Sequence, residues 1–360
     1  WNDSPPATPV GGNPGTTLGQ QRRNAMIEAL RQLGTGFDSE TPITVRACWD
    51  ALAVDTAGRT TLAAAAPDDF LIDDRSLVVN GDSFNPAPFL PEKYAFYSAA
   101  PAVRLAGTRA CSLRGGDCTD LTDMTITYNR RIGESGVLGG ARFYLGYNAA
   151  PSGSLDFVGV SVHELGHGLG FLSLTRLSAP VGAELLGRDD IYARQIVDNR
   201  SFPMRAFSSL TDAERADVMT SLSGLSWIDA RAANSPLNTQ TSFPGVLLFA
   251  PNPIQRGSSL SHLDPSYFNE LMTPTLNQQG TRQLGLGVPM LYAVGWEPSA
   301  TSFPTAPAPY AGLWYDRDRD AHGVDFQRIY TDAAGFDIYS LIFYTYDATG
   351  RPEWYIAIGP

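Results

Sequence analysis

The stretch Asp156–Phe171 reads DFVGVSVHELGHGLGF, and within it His163, Glu164 and His167 form the pattern His-Glu-x-x-His. On a helix, residues i and i+4 stand one above the other on the same face, so both imidazoles can point at one ion. Glu164 lies beside them, in reach of a water on that ion rather than of the ion itself. Two imidazoles suit zinc, and a catalytic zinc keeps one position open for water. Gly166, Gly168 and Gly170 interrupt the same stretch, each disfavouring a helix interior by about 1 kcal/mol against Ala. Tolerating them predicts close packing on the helix backbone, with Gly170 letting the chain turn away.

Working outward, the first question is the third ligand, since a catalytic zinc generally takes three from the protein. The sequence has four histidines, so the choice falls on His262, His322 or a carboxylate, with Glu184 the rival to His262. The run from His163 to Gly170 resembles the first part of the metzincin motif His-Glu-x-x-His-x-x-Gly-x-x-His, with Ser173 where that motif has its last histidine. A more particular resemblance follows from HELGHGLGF, a long insertion, Ser261-His262, then Asn269-Glu270-Leu271-Met272-Thr273-Pro274 and LYAVGW at Leu291–Trp296. These segments look like leishmanolysin and related bacterial secreted metallopeptidases. There an inserted segment displaces the third histidine, and a methionine turn follows it shortly.

The resemblance covers residues 17–297. It implies zinc bound by His163, His167 and His262, Glu164 as general base, and Met272 as the turn methionine. The implied fold is α+β: a metzincin-like catalytic domain with a twisted sheet, the zinc helix and a helical lower half holding a long insertion at 174–261. Elementary physics does not oppose the displaced ligand, because each doubling of a loop's length costs only about 0.6 kcal/mol. A methionine in a tight turn would give the ligands an apolar floor.

Composition bounds the alternatives. A formal charge of −11 and a pI near 4.8 argue against nucleic acid, whose phosphates need concentrated Lys and Arg. Lys93 is the only lysine, and neither a Gly-x-x-x-x-Gly-Lys loop nor a Gly-x-Ser-x-Gly elbow occurs. No 18-residue apolar run is present, so no membrane span is expected. The sequence opens at Trp1 and is read as a mature chain freed of a targeting segment, hence secreted. Cys111 and Cys118 flank a short Gly-containing loop and are expected to pair, leaving Cys48 over.

In chain order, residues 1–17 are a Pro- and Gly-rich arm, and the apolar stripe from Thr17 to Leu33 predicts a helix. Pro42–Leu52, Met124–Arg131 and Ala141–Asn148 alternate as strands, the last a candidate edge for pairing with substrate. Residues 55–120, with an Ala run at 63–66, stay unassigned. Helices are expected at Asp189–Val197, at Thr211–Leu222 behind the capping box Thr211-Asp-Ala-Glu214, and at Gly285–Val294. Residues 298–309 form a Pro/Ser/Thr linker, and 310–360 a small aromatic-rich β-module with a hairpin turn at Asp347–Gly350.

The function expected is a secreted zinc-dependent endopeptidase acting on protein or peptide substrates. The alternative is a zinc-containing adhesin or matrix-binding protein with a degenerate site. The β-module favours some binding role, since Trp314, Tyr315, Trp354 and Tyr355 are candidates for stacking on a glycan or packing on a protein or surface. Asp316, Asp318 and Asp320 suggest calcium as a second ion, although Ala321 and Gln327 stand where a calcium loop has Gly and Glu.

Overall fold

The computed structural model describes residues 5–34, 36–79, 82–83, 86–109, 122–240, 242–275 and 281–298, and the backbone of four strands between 312 and 359. The chain divides into two units, Trp1–Pro298 and Ser299–Pro360. Both are described here separately.

In the first unit a three-stranded sheet runs in the order Val45–Asp50, Met124–Asn129, Ala63–Pro67. The central strand is parallel to the first and antiparallel to the last. Met124, Ile126 and Tyr128 alternate along it with polar residues, and all three are fully buried, as a period of two requires of a sheet covered on one face. Two of these strands fall where alternation predicts them. The third is the Ala run.

Helix α1 (Leu18–Gly34) buries Ala25, Met26 and Ala29 in the common core. Helix α2 (Ala99–Ala106) follows a strand of a second sheet, ordered Asp189–Asp190, Ala95–Ser98, Phe70–Ile72. Helix α3 (Phe157–Gly168) carries the His-Glu-x-x-His pattern and is buried over nearly its whole length. An aromatic cluster seats its start: Phe157 stacks on Trp49 with centroids 5.7 Å apart and meets Tyr128 at 4.6 Å. Tyr128 then donates to Ser161 Oγ at 2.7 Å, and Ser161 donates back to the Phe157 carbonyl. Ahead of the helix, Asp156 accepts from Arg282 at 2.6 and 2.7 Å, tying α3 to the segment after the methionine turn.

The glycines behave as the helix reading requires. A Cβ on Gly166 would lie 2.9 Å from Met272 Sδ, and one on Gly168 would lie 2.2 Å from Met124 Sδ. Gly170 adopts φ +110, a left-handed backbone that ends the helix and turns the chain away.

The helical lower half is a correction. The insertion is organised on a four-stranded antiparallel sheet, ordered Arg205–Ala206, Ile196–Asp198, Leu225–Trp227, Val246–Leu247. Its helices are short: α4 (Asp212–Val218) and α5 (Ala230–Ala233), with α6 (Gly287–Ala293) following the insertion. Asp189–Val197 is not a helix but two short strands joined by a 3-10 turn at Ala193–Gln195. Asp190 accepts from the Ala193 amide at 2.6 Å, and such a local bond competes with helix formation. The capping box is present in both halves, Thr211 Oγ1 accepting from the Glu214 amide and Glu214 from the Thr211 amide, although α4 stops at Val218.

Ala141–Asn148 is a second correction. Only Phe143–Tyr144 pairs, in parallel, with Leu155–Asp156. The Tyr147 amide is spent on the Gly11 carbonyl, and Arg282 takes the carbonyls of Tyr147 and Asn148, so the second half of this segment is not strand.

The second unit is a four-stranded antiparallel meander, Gly312–Tyr315, Gly323–Thr331, Asp337–Tyr346 and Pro352–Gly359, in sequence order. The linker at 299–309, the turn at Asp347–Gly350, Asp316, Asp318, Asp320, Ala321, His322, and the pair Cys111 and Cys118 lie outside the described residues. Cys48 is a free, half-buried thiol 3.3 Å from Thr127 Oγ1. The fold is therefore α+β, and among the described residues no helix is long and apolar enough to cross a membrane.

The packing of α3 on the central strand is testable at Gly168. Gly168→Ala forces Met124 aside in a filled core and is expected to destabilise the chain by about 1–3 kcal/mol. Urea unfolding measures this, and an unchanged midpoint refutes the close approach.

Candidate metal centre

His163 and His167 stand one turn apart on α3, and the chain returns His262 to them from the far end of the insertion. The three Nε2 atoms form a near-equilateral triangle: 3.1 Å between His163 and His167, and 3.2 Å from His262 to each. Each ring is fixed from behind by a backbone carbonyl at its Nδ1. The partners are Leu271 O for His163 at 2.8 Å, Phe171 O for His167 at 2.8 Å, and Ser258 O for His262 at 2.9 Å.

These carbonyls decide the tautomer. A carbonyl oxygen only accepts, so each Nδ1 carries the proton and each Nε2 presents a lone pair. Three lone pairs then converge with no donor among them, an unfavourable arrangement that a bound cation reverses. Ligand nitrogens about 2.1 Å from a tetrahedral zinc are about 3.3–3.4 Å apart, close to the separations found. Imidazole donors suit zinc, copper, iron and nickel alike, so the geometry could hold a metal ion without selecting zinc. Among the described residues this is the one group of three or more His, Cys, Asp or Glu side chains placed to hold an ion.

The electrostatics agree with neutral ligands. Burial holds His163 below the usual imidazole range, and His167, also facing the His163 ring, is pushed down to about 3. His262 lies well below its ordinary value, from burial first and the other two rings next.

Glu164, the residue after His163 on α3, reaches the sheet. It is buried, and burial pushes its carboxyl up to about 8 against the one lowering influence, a hydrogen bond from the Ala65 backbone. Ala65 lies on the edge strand Ala63–Pro67. A positive charge at the imidazoles would draw that carboxyl back down.

Met272 is fully buried, and its sulfur sits against the bare backbone of Gly166 between the two helical histidines. Its carbonyl accepts from the Leu263 amide at 2.8 Å, so the turn is stitched to the residue after His262. Glu270 ties the turn from below, accepting from the Leu286 amide at 2.7 Å, and burial raises its carboxyl to about 7.

The three histidines singled out by the sequence thus meet around one point, while Glu164 bonds the sheet at Ala65 and Met272 packs against Gly166. Glu184 does not: its carboxylate pairs with Arg215 at 2.9 Å within the insertion and is no part of the histidine group. Sequence reasoning missed the three backbone carbonyls, Ala65 and Glu270. Main-chain acceptors leave no mark on residue type, and only the Asn269–Pro274 segment carried a signal, through its resemblance. Compared with family models, with curated proteins and with solved structures, the chain matches none.

Two outcomes are expected. Equilibrated with a divalent metal, the chain takes up one tightly held ion, seen by elemental analysis after gel filtration, and His262→Ala abolishes it while Glu184→Ala does not. The reverse pattern refutes the site. Glu270 supplies a pH test. Its folded carboxyl titrates near 7 and its unfolded one near 4.5, so the folded state holds the extra proton between these values. Stability from this group is therefore lost as pH rises through that window. Glu270→Gln should gain on the parent by on the order of 1–3 kcal/mol between pH 4.5 and 8, read by urea unfolding at each pH, and a pH-independent difference contradicts it.

Proposed function

We propose that the chain is a secreted zinc-dependent endopeptidase of metzincin type, with the displaced third histidine of leishmanolysin-like enzymes. One observation carries the reading: three neutral imidazoles converge on one point, and the residue after the first of them on α3 is a buried acid bonded to the Ala65 amide. A purely structural metal site is closed by a fourth protein ligand, whereas three ligands with an open side and an adjacent acid fit hydrolysis.

Zinc held by His163, His167 and His262 supplies Lewis-acid polarisation of a carbonyl and makes a water acidic at neutral pH. Glu164 takes a proton from the attacking water and passes it to the leaving amine, which requires its carboxylate to be ionised at the start. Burial opposes that, the Ala65 amide favours it, and a cation held by the three histidines would favour it further.

The Ala63–Pro67 strand is an edge of the three-stranded sheet and lies beside α3. An extended peptide is expected to pair with it through main-chain hydrogen bonds. Side chains there are small, Ala64 and Ala66 being exposed, so the strand can approach a substrate backbone closely. Met272 fills the space under the ligands and excludes water there.

Hydrolysis of casein or gelatin by the purified chain, abolished by a chelator and restored by zinc, is the expected result. Binding without cleavage would instead support the adhesin alternative. Glu164→Gln should keep its metal and lose turnover by about a hundredfold or more. Full turnover in that variant would remove Glu164 from the role of base.

A further inference from the structure

The insertion leaves the helix region at Ser173 and comes back at Ser261, and its two ends are joined there. The Ser173 amide donates to Ser261 Oγ at 3.0 Å, across 88 residues of chain. Ser173 Oγ donates in turn to Asp190 Oδ2 at 2.9 Å. The same oxygen accepts from the Leu174 amide at 2.7 Å, and Oδ1 accepts from the Ala193 amide at 2.6 Å. Asp190 is 4% exposed and takes part in no ion pair among the described residues. A buried carboxylate without a cation is expensive unless donors surround it, and here three donors do. Its neighbours are thereby fixed in place.

What those bonds fix is the residue before a metal-site histidine. Besides the Ser258 carbonyl at its Nδ1, His262 is held by its backbone, the Phe249 amide donating to its carbonyl at 2.9 Å and the next residue's amide, Leu263, donating to the Met272 carbonyl. Leu260 is in a left-handed conformation, φ +72, and its carbonyl accepts from the buried Tyr192 hydroxyl. The approach to His262 is thus a sharp turn, and the Ser261 side chain is its link to the start of the insertion.

We infer that Asp190, Ser173 and Ser261 form a positioning network that aims the displaced histidine. Position 173, which in the contiguous histidine pattern bears the ligand itself, here anchors the residue next to the ligand that replaced it. Asp190 holds Ser173 and Leu174, the Ser173 amide holds Ser261, and Ser261 sets the direction in which His262 leaves the chain. The inference rests on the metal-centre reading and adds to it the means by which a ligand 95 residues from its neighbour is placed.

The test is zinc affinity of the full chain by competition with a chromophoric chelator, with the visible spectrum of the cobalt-substituted protein as a second readout. Ser261→Ala is expected to bind zinc about ten- to a hundredfold more weakly and to shift the cobalt bands. Its metal-free melting temperature should stay at that of the parent, and Ser261→Thr should restore affinity. Asp190→Asn, which replaces one acceptor oxygen by a donor, should weaken zinc in the same direction. Parent-like affinity and spectrum in Ser261→Ala overturn the network, as does a weakening matched by an equal loss of metal-free stability. A parent chain that binds no zinc at all sinks the metal centre and the network together.

Discussion

Three imidazoles that each give their Nδ1 proton to a carbonyl have only lone pairs left to show one another. Everything else around this point serves to hold that arrangement. α3 supplies two of the rings with one turn between them, and the backbone at Leu271, Phe171 and Ser258 sets their rotation. Buried neutral imidazoles facing each other at 3.1–3.2 Å repel one another, and three such lone pairs could hold one cation. An ion held there would couple its binding to the stability of the elements that bring the rings together.

Those elements are few. The aromatic cluster of Trp49, Tyr128 and Phe157 presses the start of α3 on the sheet, and Met124 presses its end at Gly168. From beneath, Met272 rests on Gly166, so the helix is gripped between the sheet and the turn. The insertion is then less a loop than a small domain in the path of the chain. Its last strand, Val246–Leu247, continues into residues that pair with the His262 segment, through a bridge between Leu248 and Leu263. That sheet gives the long excursion a fixed path back to α3.

The legible part of this was local. His163, Glu164 and His167 could be read from spacing alone, because a helical period converts sequence distance into a shared face. His262 and Met272 required a resemblance, since no periodicity links positions on separate segments. The edge strand went unread because Ala63–Ala66 has little intrinsic strand preference and becomes a strand only by pairing with Met124–Asn129. Asp189–Val197 misled for the opposite reason, its apolar spacing being compatible with a helix while Asp190 and the β-branched Ile196 and Val197 turned it into strand and turn. Ala141–Asn148 alternates correctly, yet the N-terminal arm and Arg282 claim its backbone. Such competition between distant segments for main-chain hydrogen bonds is a tertiary fact with no signature in a window of sequence.

The central claim is that three imidazole nitrogens share one ion and leave a side of it open. X-ray absorption at the zinc edge of the zinc-loaded chain reads this directly. The account predicts a first shell of three imidazole nitrogens and one oxygen at about 2.0–2.1 Å, with the outer scattering typical of rigid rings. A shell with two imidazoles or fewer, or one made of oxygen alone, would contradict it.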